Sequence, residues 1–380
     1  MRLYEFEGLE LLRRESIPTA EFALAAKPEE AVEKAQDIGF PVVLKAQVLT
    51  GGRWLAGGVE VAESPDDVLR ASQRILGSSI RGLPVHSILV ARSVKAEREF
   101  YLGITVDDYL GTPMAILSAE GGVSINSTAR EHAEAVVSRP VSISKGLELS
   151  EARQMCRQVG LRGKDTTEVA GVLSSLYRVF RNSDALIAEI NPLAKTQEGT
   201  YIALDAKVEI DDSSLFRHTD LNLNMVDRIS NPLEKKGREI GVSYLELDGD
   251  IAIIASGAGL GMASMDIISQ NMRPANFLET GGAITEDLLY KVTDLVLQKE
   301  GIRGLFINVY GGINPIHEGA KGVVRYMQEH NINIPVVAKA LGNHQEETWE
   351  IFKQQGIHVV TDVSTEKGVE QLARLLEEEK

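Results

Sequence analysis

The stretch Lys45-Ala-Gln-Val-Leu-Thr-Gly-Gly-Arg-Trp-Leu-Ala-Gly-Gly-Val59 carries the first pattern that could do chemistry. A short apolar strand delivers Lys45, and a loop with four glycines leads back into a second strand. Glycine lets backbone N–H groups close around phosphate oxygens. Lys45 and Arg53 add positive charge beside them. The plainer reading of the same residues is a tight hairpin with a flexible tip.

A second pattern pairs Asn191 with Asp205. Ala188-Glu-Ile-Asn-Pro192 reads as a strand, Lys195-Thr-Gln-Glu-Gly-Thr200 as a turn, and Tyr201-Ile-Ala-Leu-Asp205 as the returning strand. A symmetric hairpin centred on that turn sets the two residues opposite each other on one face. One carboxylate and one amide oxygen suit Mg2+, a hard cation that shares its ligands with substrate phosphates. Glu189, two residues along the strand, adds acidity to that face. On spacing alone, a polar face of an exposed hairpin explains the pattern equally.

The third pattern is a set of glycine loops after strands in the last third of the chain. Gly311-Gly312-Ile-Asn-Pro-Ile-His317 precedes a helix, with Pro315 suited to its first turn. A helix N-terminus behind glycines favours anions. Ser256-Gly-Ala-Gly-Leu-Gly261 approaches a dinucleotide fingerprint, but its third glycine comes one residue too early, so an NAD site is not expected. Of the seven histidines, 86, 132, 218, 317, 330, 344 and 358, none has the i, i+4 partner of a zinc helix. His317 alone lies within a candidate anion site, and it reads as a solvated helix residue.

These residues need a framework. From Asp250 onward, apolar runs alternate with helical stretches: 250–256, 275–279, 304–310, 334–339 and 358–360 as strands, with a helix near 285–298 among those between. That rhythm predicts βαβ units and a doubly wound parallel sheet, whose ligands sit at the carboxyl ends of the strands. The first two-thirds read as α+β with antiparallel sheet, through strands near 41–45, 59–62, 87–91, 100–104 and 113–117. Asp165-Thr-Thr-Glu168 reads as a capping-box helix start, followed by Val169, Val172, Leu173, Leu176 and Phe180 on one face. The polar stretch from Asn231 to Arg238 reads as the boundary, giving domains 1–238 and 239–380.

The chain has 380 residues and a formal net charge of −15, which argues against nucleic acid or an anionic membrane as its partner. The lone Cys156, on an expected helix, excludes an internal disulfide and a Cys-rich metal site and reads as packing. No apolar run reaches the ~18 residues of a membrane span, and Met1–Glu7 lacks the apolar region of a signal peptide. A cytoplasmic protein is expected.

Taken together, these motifs resemble the β subunit of succinyl-CoA synthetase and related nucleoside-diphosphate-forming acyl-CoA synthetases. The likeness runs end to end: Val43-Leu-Lys45-Ala-Gln-Val48, Gly51-Gly-Arg53, Ala56-Gly-Gly-Val59, Glu99-Phe-Tyr-Leu-Gly103, Glu120-Gly-Gly-Val123, Glu189-Ile-Asn-Pro-Leu193, Leu204-Asp-Ala-Lys207, Leu215-Phe-Arg217, Ser256-Gly-Ala-Gly-Leu260, Pro274-Ala-Asn-Phe-Leu278 and Asn308-Val-Tyr-Gly-Gly-Ile313. The resemblance implies an N-terminal ATP-grasp fold followed by a flavodoxin-like domain. It implies an acid–thiol ligase that makes acyl-CoA from a small carboxylic acid, CoA and ATP or GTP, with Mg2+. The phosphoryl group would pass through a histidine of a separate α subunit, which also holds most of the CoA site. Lys45, Gly52, Arg53, Trp54 and Glu99 would hold the nucleotide, and Asn191 and Asp205 the Mg2+. Glu189 would orient the phosphohistidine, with Gly311 and Gly312 opening the helix that faces its phosphoryl group. Ser256, Gly312, Ile313 and Asn314 would line the acid site.

Three departures from the family pattern stand out. Gly52-Arg53-Trp54-Leu55 replaces a Gly-Arg-Gly-Lys loop. Ala91 stands where an acid ends the hinge strand. Ser256 replaces an Asn, and Asn314-Pro315 replace Val-Arg, at the acid site. A hydrogen bond to a charged group contributes roughly 1.5–3 kcal/mol, so shortening its donor changes which acid fits. Three readings therefore stay open: a synthetase for an acid other than succinate, an authentic succinyl-CoA synthetase subunit, or a paralogue impaired in nucleotide binding that serves as scaffold or regulator.

Overall fold

The computed structural model describes residues 1–122, 135–282 and 284–378. Val123 and His132, named above, lie outside the described residues. The chain divides into two compact units, Met1–Leu223 and Asn224–Lys380.

In the first unit, α1 (Glu5–Arg14) buries Glu5, Gly8, Leu9 and Leu12 along one face. A four-stranded antiparallel sheet follows, built from β1 (Phe22–Ala25), β2 (Val42–Ala46), β3 (Val59–Ala62) and β6 (Ile88–Arg92) in the order β1-β6-β2-β3. Its core is small and branched: Ala31 and Ala35 of α2 (Pro28–Ile38) and Val68 and Ile75 of α3 (Pro65–Leu76) pack with Leu44 and Val90 of the sheet. A short hairpin of β4 (Ser79–Ile80) and β5 (Leu83–Pro84) lies between.

A larger antiparallel sheet holds β7 (Ala96–Asp107), β8 (Thr112–Ser118), β9 (Val136–Pro140), β10 (Ala185–Thr196) and β11 (Tyr201–Ala203), with β12 (Ala206–Ile210) also on β10. One face packs against α4 (Leu149–Gln158) and α5 (Gly163–Asn182) through Leu102, Ile104, Ala188, Val169, Leu173 and Leu176. Cys156 is buried in that core, and burial pushes its thiol up to about 12. The α5 apolar face is as the periodicity predicts, but its start is not. The helix begins at Gly163, and Asp165 is no cap: it accepts from the Tyr201 hydroxyl and pairs with Lys195 at 3.1 Å.

The second unit opens with α6 (Pro232–Ile240), which holds the polar stretch expected to be a linker. The Asn231 side chain accepts from the Leu233 and Glu234 N–H groups, Pro232 occupies the first turn, and Gly241 ends the helix at φ +92°. These caps turn a charged run into a helix that packs through Gly237 on Tyr244 of β13 (Ser243–Glu246), so the boundary falls before it, at 223/224.

The rest alternates as expected: β14 (Ile251–Ala255), α7 (Ala258–Ile268), β15 (Asn276–Glu279), α8 (Glu286–Leu297), β16 (Gly304–Gly311), α9 (Ile316–Glu329), β17 (Val336–Gly342), α10 (Gln345–Gln354), β18 (His358–Val359) and α11 (Thr365–Glu378). The parallel strands run β15-β14-β16-β17-β18, a flavodoxin-like order, and β13 pairs antiparallel with β15 at the edge. The order reverses between β14 and β16, so a crevice is expected at their carboxyl ends.

Close approach of α9 to α8 requires Gly322, where a Cβ would come within 2.0 Å of the Glu286 carbonyl oxygen. Gly322→Ala should destabilise the protein by about 1–3 kcal/mol through overpacking, although alanine is the better helix former. A lowered denaturation midpoint checks this; an unchanged or raised midpoint contradicts the packing.

Candidate functional site

The hairpin is centred as the spacing predicts. β10 pairs Ile190 with Ala206 and Leu193 with Ala203, so Asn191 and Asp205 face each other where the ladder passes from β12 to β11. Asn191 Oδ1 accepts from the Gly122 N–H at 2.7 Å. The Glu99 carboxylate also lies against Gly122, close enough that a Cβ there would come within 2.9 Å of it. Glu99, Gly122 and Asn191 thus form one cluster midway along β10.

Asp205 belongs to a second cluster, whose centre is Glu5 at the start of α1. Lys45 Nζ donates to Glu5 Oε1 at 2.7 Å and to the Leu204 carbonyl at 2.6 Å. Arg53 donates to Glu5 Oε2 at 2.6 Å, to the Ala46 carbonyl at 3.1 Å and to Asp205 Oδ2 at 2.8 Å. Gln47 completes the surround, its amide nitrogen 3.4 Å from Glu5 Oε2. The Glu5 side chain is 1% exposed, against 36% for Asp205. Burial alone would raise the Glu5 carboxyl, but the two adjacent cations outweigh it and hold it below the usual range. Burial and the Glu5 charge push Asp205 the other way, upward, against Arg53 and Lys45.

The glycine loop is folded back by its own backbone. The Gly58 N–H donates to the Arg53 carbonyl at 2.8 Å, and Gly52 and Gly57 take φ +72° and +74°. This fold brings Arg53 inward and leaves Trp54 58% and Leu55 75% exposed at the tip. Trp54 is therefore not brought to the ionic cluster. Ala91 is buried within the four-stranded sheet, paired with Phe22 and Val43.

Glu189 stands across from Lys207, 3.6 Å away, and lines a cavity of about 170 Å3 with Tyr101, Gly103 and Ile116. Burial pushes its carboxyl up, Lys207 opposes, and Asp205 adds to the rise. Tyr101 is raised too, by burial and by Glu189.

In the second unit, Ser256 lies at the reversal between β14 and β16. Its hydroxyl accepts from the Tyr310 N–H at 2.7 Å, so it is tied to the neighbouring strand's end. Gly311 is the last residue of β16, and α9 opens only at Ile316 with Pro315 as its cap rather than in its first turn. Gly342 packs on the Gly311 carbonyl, where a Cβ would come within 2.2 Å. Gly312 and Ile313 project outward, Ile313 at 90% exposure, and the Asn314 amide lies beside Gly282. His317 is 13% exposed rather than solvated, packed 4.5 Å from the His344 ring.

Sequence reasoning missed Glu5. Its signal was available: a carboxylate at the apolar spacing of an amphipathic helix, on one face with Leu9 and Leu12.

A glycine hairpin with two inward cations, an acid–amide pair across a strand turn, and a flavodoxin-like sheet define an ATP-grasp protein joined to a CoA-ligase module. Residues 2–195 match the ATP-grasp domain model, and residues 254–372 match that of the CoA-ligase. The β subunit of GDP-forming succinate–CoA ligase from Thermus thermophilus is 39% identical over 371 residues, covering 97% of this chain and 98% of that protein. The ADP-forming counterpart from Ignicoccus hospitalis is 38% identical over 358 residues, 94% of this chain and 95% of that one. The chain belongs to the family of succinate–CoA ligase β subunits. In fold it is also similar to ATP citrate lyase from Methanothrix soehngenii, solved with citrate and coenzyme A, at TM-score 0.80 and 18% identity over 98% of this chain and 99% of that one. Among the described residues, no helix is long and apolar enough to cross a membrane.

Removing Glu5 leaves two nearly buried cations facing each other. Glu5→Gln should cost about 3 kcal/mol at neutral pH. The Glu5 pKa is lowered on folding, so its contribution is complete above the ordinary glutamate range and is lost as pH falls through the folded value. The stability gap between wild type and Glu5→Gln should therefore narrow on acidification. A gap that stays constant to low pH in urea titrations would refute the ionic role.

Proposed function

We propose that the chain is the nucleotide-binding β subunit of an ADP- or GDP-forming acid–CoA ligase, active with a separate α subunit that carries the phosphorylated histidine and most of the CoA site. The observation that carries this reading is the Glu5–Lys45–Arg53–Asp205 network beside Asn191. Two inward cations and a hairpin acid–amide pair are the parts that a magnesium-bound triphosphate requires.

The residues fit the ion. Among the described residues, Arg53 occupies only Oδ2 of Asp205 and Asn191 accepts one N–H, so each keeps an oxygen lone pair for a cation. An aspartate held above its usual range gains further from a divalent charge. Mg2+ bound there would neutralise the phosphate oxygens during transfer. Lys45 and Arg53 would turn their remaining N–H donors to phosphate while staying on Glu5, with Gly52 and Trp54 at the loop tip and Glu99 meeting the nucleotide beside Gly122. Glu189, lined up with Tyr101 and Lys207, would orient the partner's phosphohistidine. Gly311 and Gly312 would admit its phosphoryl group ahead of α9, with Ser256, Ile313 and Asn314 near the acid. The short Ser256 hydroxyl, already engaged by Tyr310, supports an acid other than succinate. We take the first unit, Met1–Leu223, as the nucleotide domain in function and the second, Asn224–Lys380, as the CoA-ligase domain, acting in the cytoplasm.

The engagement of Lys45 by Glu5 and of Arg53 by Glu5 and Asp205 favours one second reading, a subunit that binds nucleotide poorly and serves as a scaffold. Calorimetry separates the two. The chain should bind Mg-ATP or Mg-GTP in the micromolar range, and Asp205→Asn should weaken binding at least about tenfold, the loss of one charge-assisted contact. With an α subunit, CoA and a panel of small acids, nucleoside diphosphate should be released for one acid above the rest. Absence of nucleotide binding together with an unphosphorylated α-subunit histidine would overturn the ligase reading.

A further inference from the structure

We propose that His317, His344 and Glu347 form a binding site for a late first-row divalent cation such as Zn2+, joining the first turn of α9 to the start of α10. His317 is the second residue of α9, His344 caps α10, and Glu347 lies in the first turn of α10. One ligand atom from each residue lies within 4.8 Å of the other two. The His317 and His344 rings are 4.5 Å apart, and His344 Nδ1 is 3.2 Å from Glu347 Oε2. Glu347 Oε1 stands 3.9 Å from His317 Nε2.

A second observation points to a ligand. His317 Nδ1 is buried and has no hydrogen-bond partner among the described residues. A buried imidazole nitrogen normally finds one. Glu318 Oε1 lies 3.0 Å from Nε2 of the same ring and 2.6 Å from Lys321, so Nε2 has a partner and Nδ1 is the nitrogen left for an ion. Two imidazoles and one carboxylate select zinc, nickel or cobalt over magnesium. A tetrahedral ion needs its donors about 3.4 Å apart. Side-chain rotation of His344 and Glu347, 48% and 51% exposed, can supply the contraction. Three protein ligands would leave one position for water or a carboxylate.

The two segments are already stitched by backbone. The Asn343 N–H donates to the Gly311 carbonyl at 2.7 Å, and the Asn343 amide donates to the Ile313 carbonyl at 3.0 Å. A bound ion would therefore fix the Gly311–Ile316 segment from its far end. The site uses residues of the second unit only, so it stands or falls apart from the nucleotide reading.

The test uses the full chain, stripped with chelator and kept in Mg2+. Zn2+ competition against a chromophoric chelator should give one equivalent bound at micromolar affinity or tighter. Co2+ should give the visible bands of a four- or five-coordinate site. His317→Gln, His344→Gln and Glu347→Gln should each weaken Zn2+ at least about tenfold, whereas His358→Gln should not. His344 and Glu347 are surface residues, so those variants keep the metal-free melting temperature and separate lost binding from lost folding. Binding should also weaken on acidification, since protons compete with the metal for its ligands. Zn2+ affinity weaker than about 100 µM, or equal affinity in wild type and His344→Gln, would overturn the assignment.

Discussion

A carboxylate with almost no contact with water has to be neutralised where it stands, and Glu5 is neutralised twice. Lys45 comes from β2 and Arg53 from the glycine loop beyond it, so one side chain on α1 fixes the end of a strand and the fold of a loop. Arg53 then reaches across to Asp205, and Lys45 to the Leu204 carbonyl. The small sheet and the large sheet are joined at this point by charge as well as by apolar packing. Charges this buried gain only with good geometry and full hydrogen bonding, and here the Glu5 oxygens meet Lys45, Arg53 and Gln47 together.

The second unit reaches the same end by different means. Its candidate residues collect where the strand order reverses, and they are held by backbone contacts that only glycine permits. Gly342 against Gly311 lets two strand ends approach, and the Ser256 hydroxyl locks β14 to β16. Side chains such as Ile313 are then presented outward from a rigid base.

Much of this could be read before any coordinates. The alternation of apolar runs with helical stretches yields the doubly wound sheet, because strands covered on both faces must be continuously apolar. The Asn191–Asp205 pairing followed from the hairpin's symmetry, which side-chain alternation makes strict. Contacts far apart in sequence could not be read. Nothing local links Glu5 to Arg53, so the helix pattern could place Glu5 on the apolar face but could not name its partners. The Asn231–Arg238 run was misread because its charges outweighed the stronger signals of Asn-Pro at one end and Gly241 at the other. Asp165 had the right type for a cap, but Lys195 of β10 and Tyr201 of β11 claimed it. His317 lay in a polar stretch, yet the neighbouring α10 covers it.

The exposed loop tip has a further use. The chain contains two tryptophans, Trp54 and Trp349. Trp349 is partly buried and donates its indole N–H to the Ala340 carbonyl at 2.7 Å, whereas Trp54 projects from the hairpin. One indole is anchored in a fixed environment and the other sits on the segment that would meet a triphosphate. The intrinsic fluorescence of the unlabelled protein thus contains a near-constant reference emitter and an optical reporter of the hairpin's surroundings.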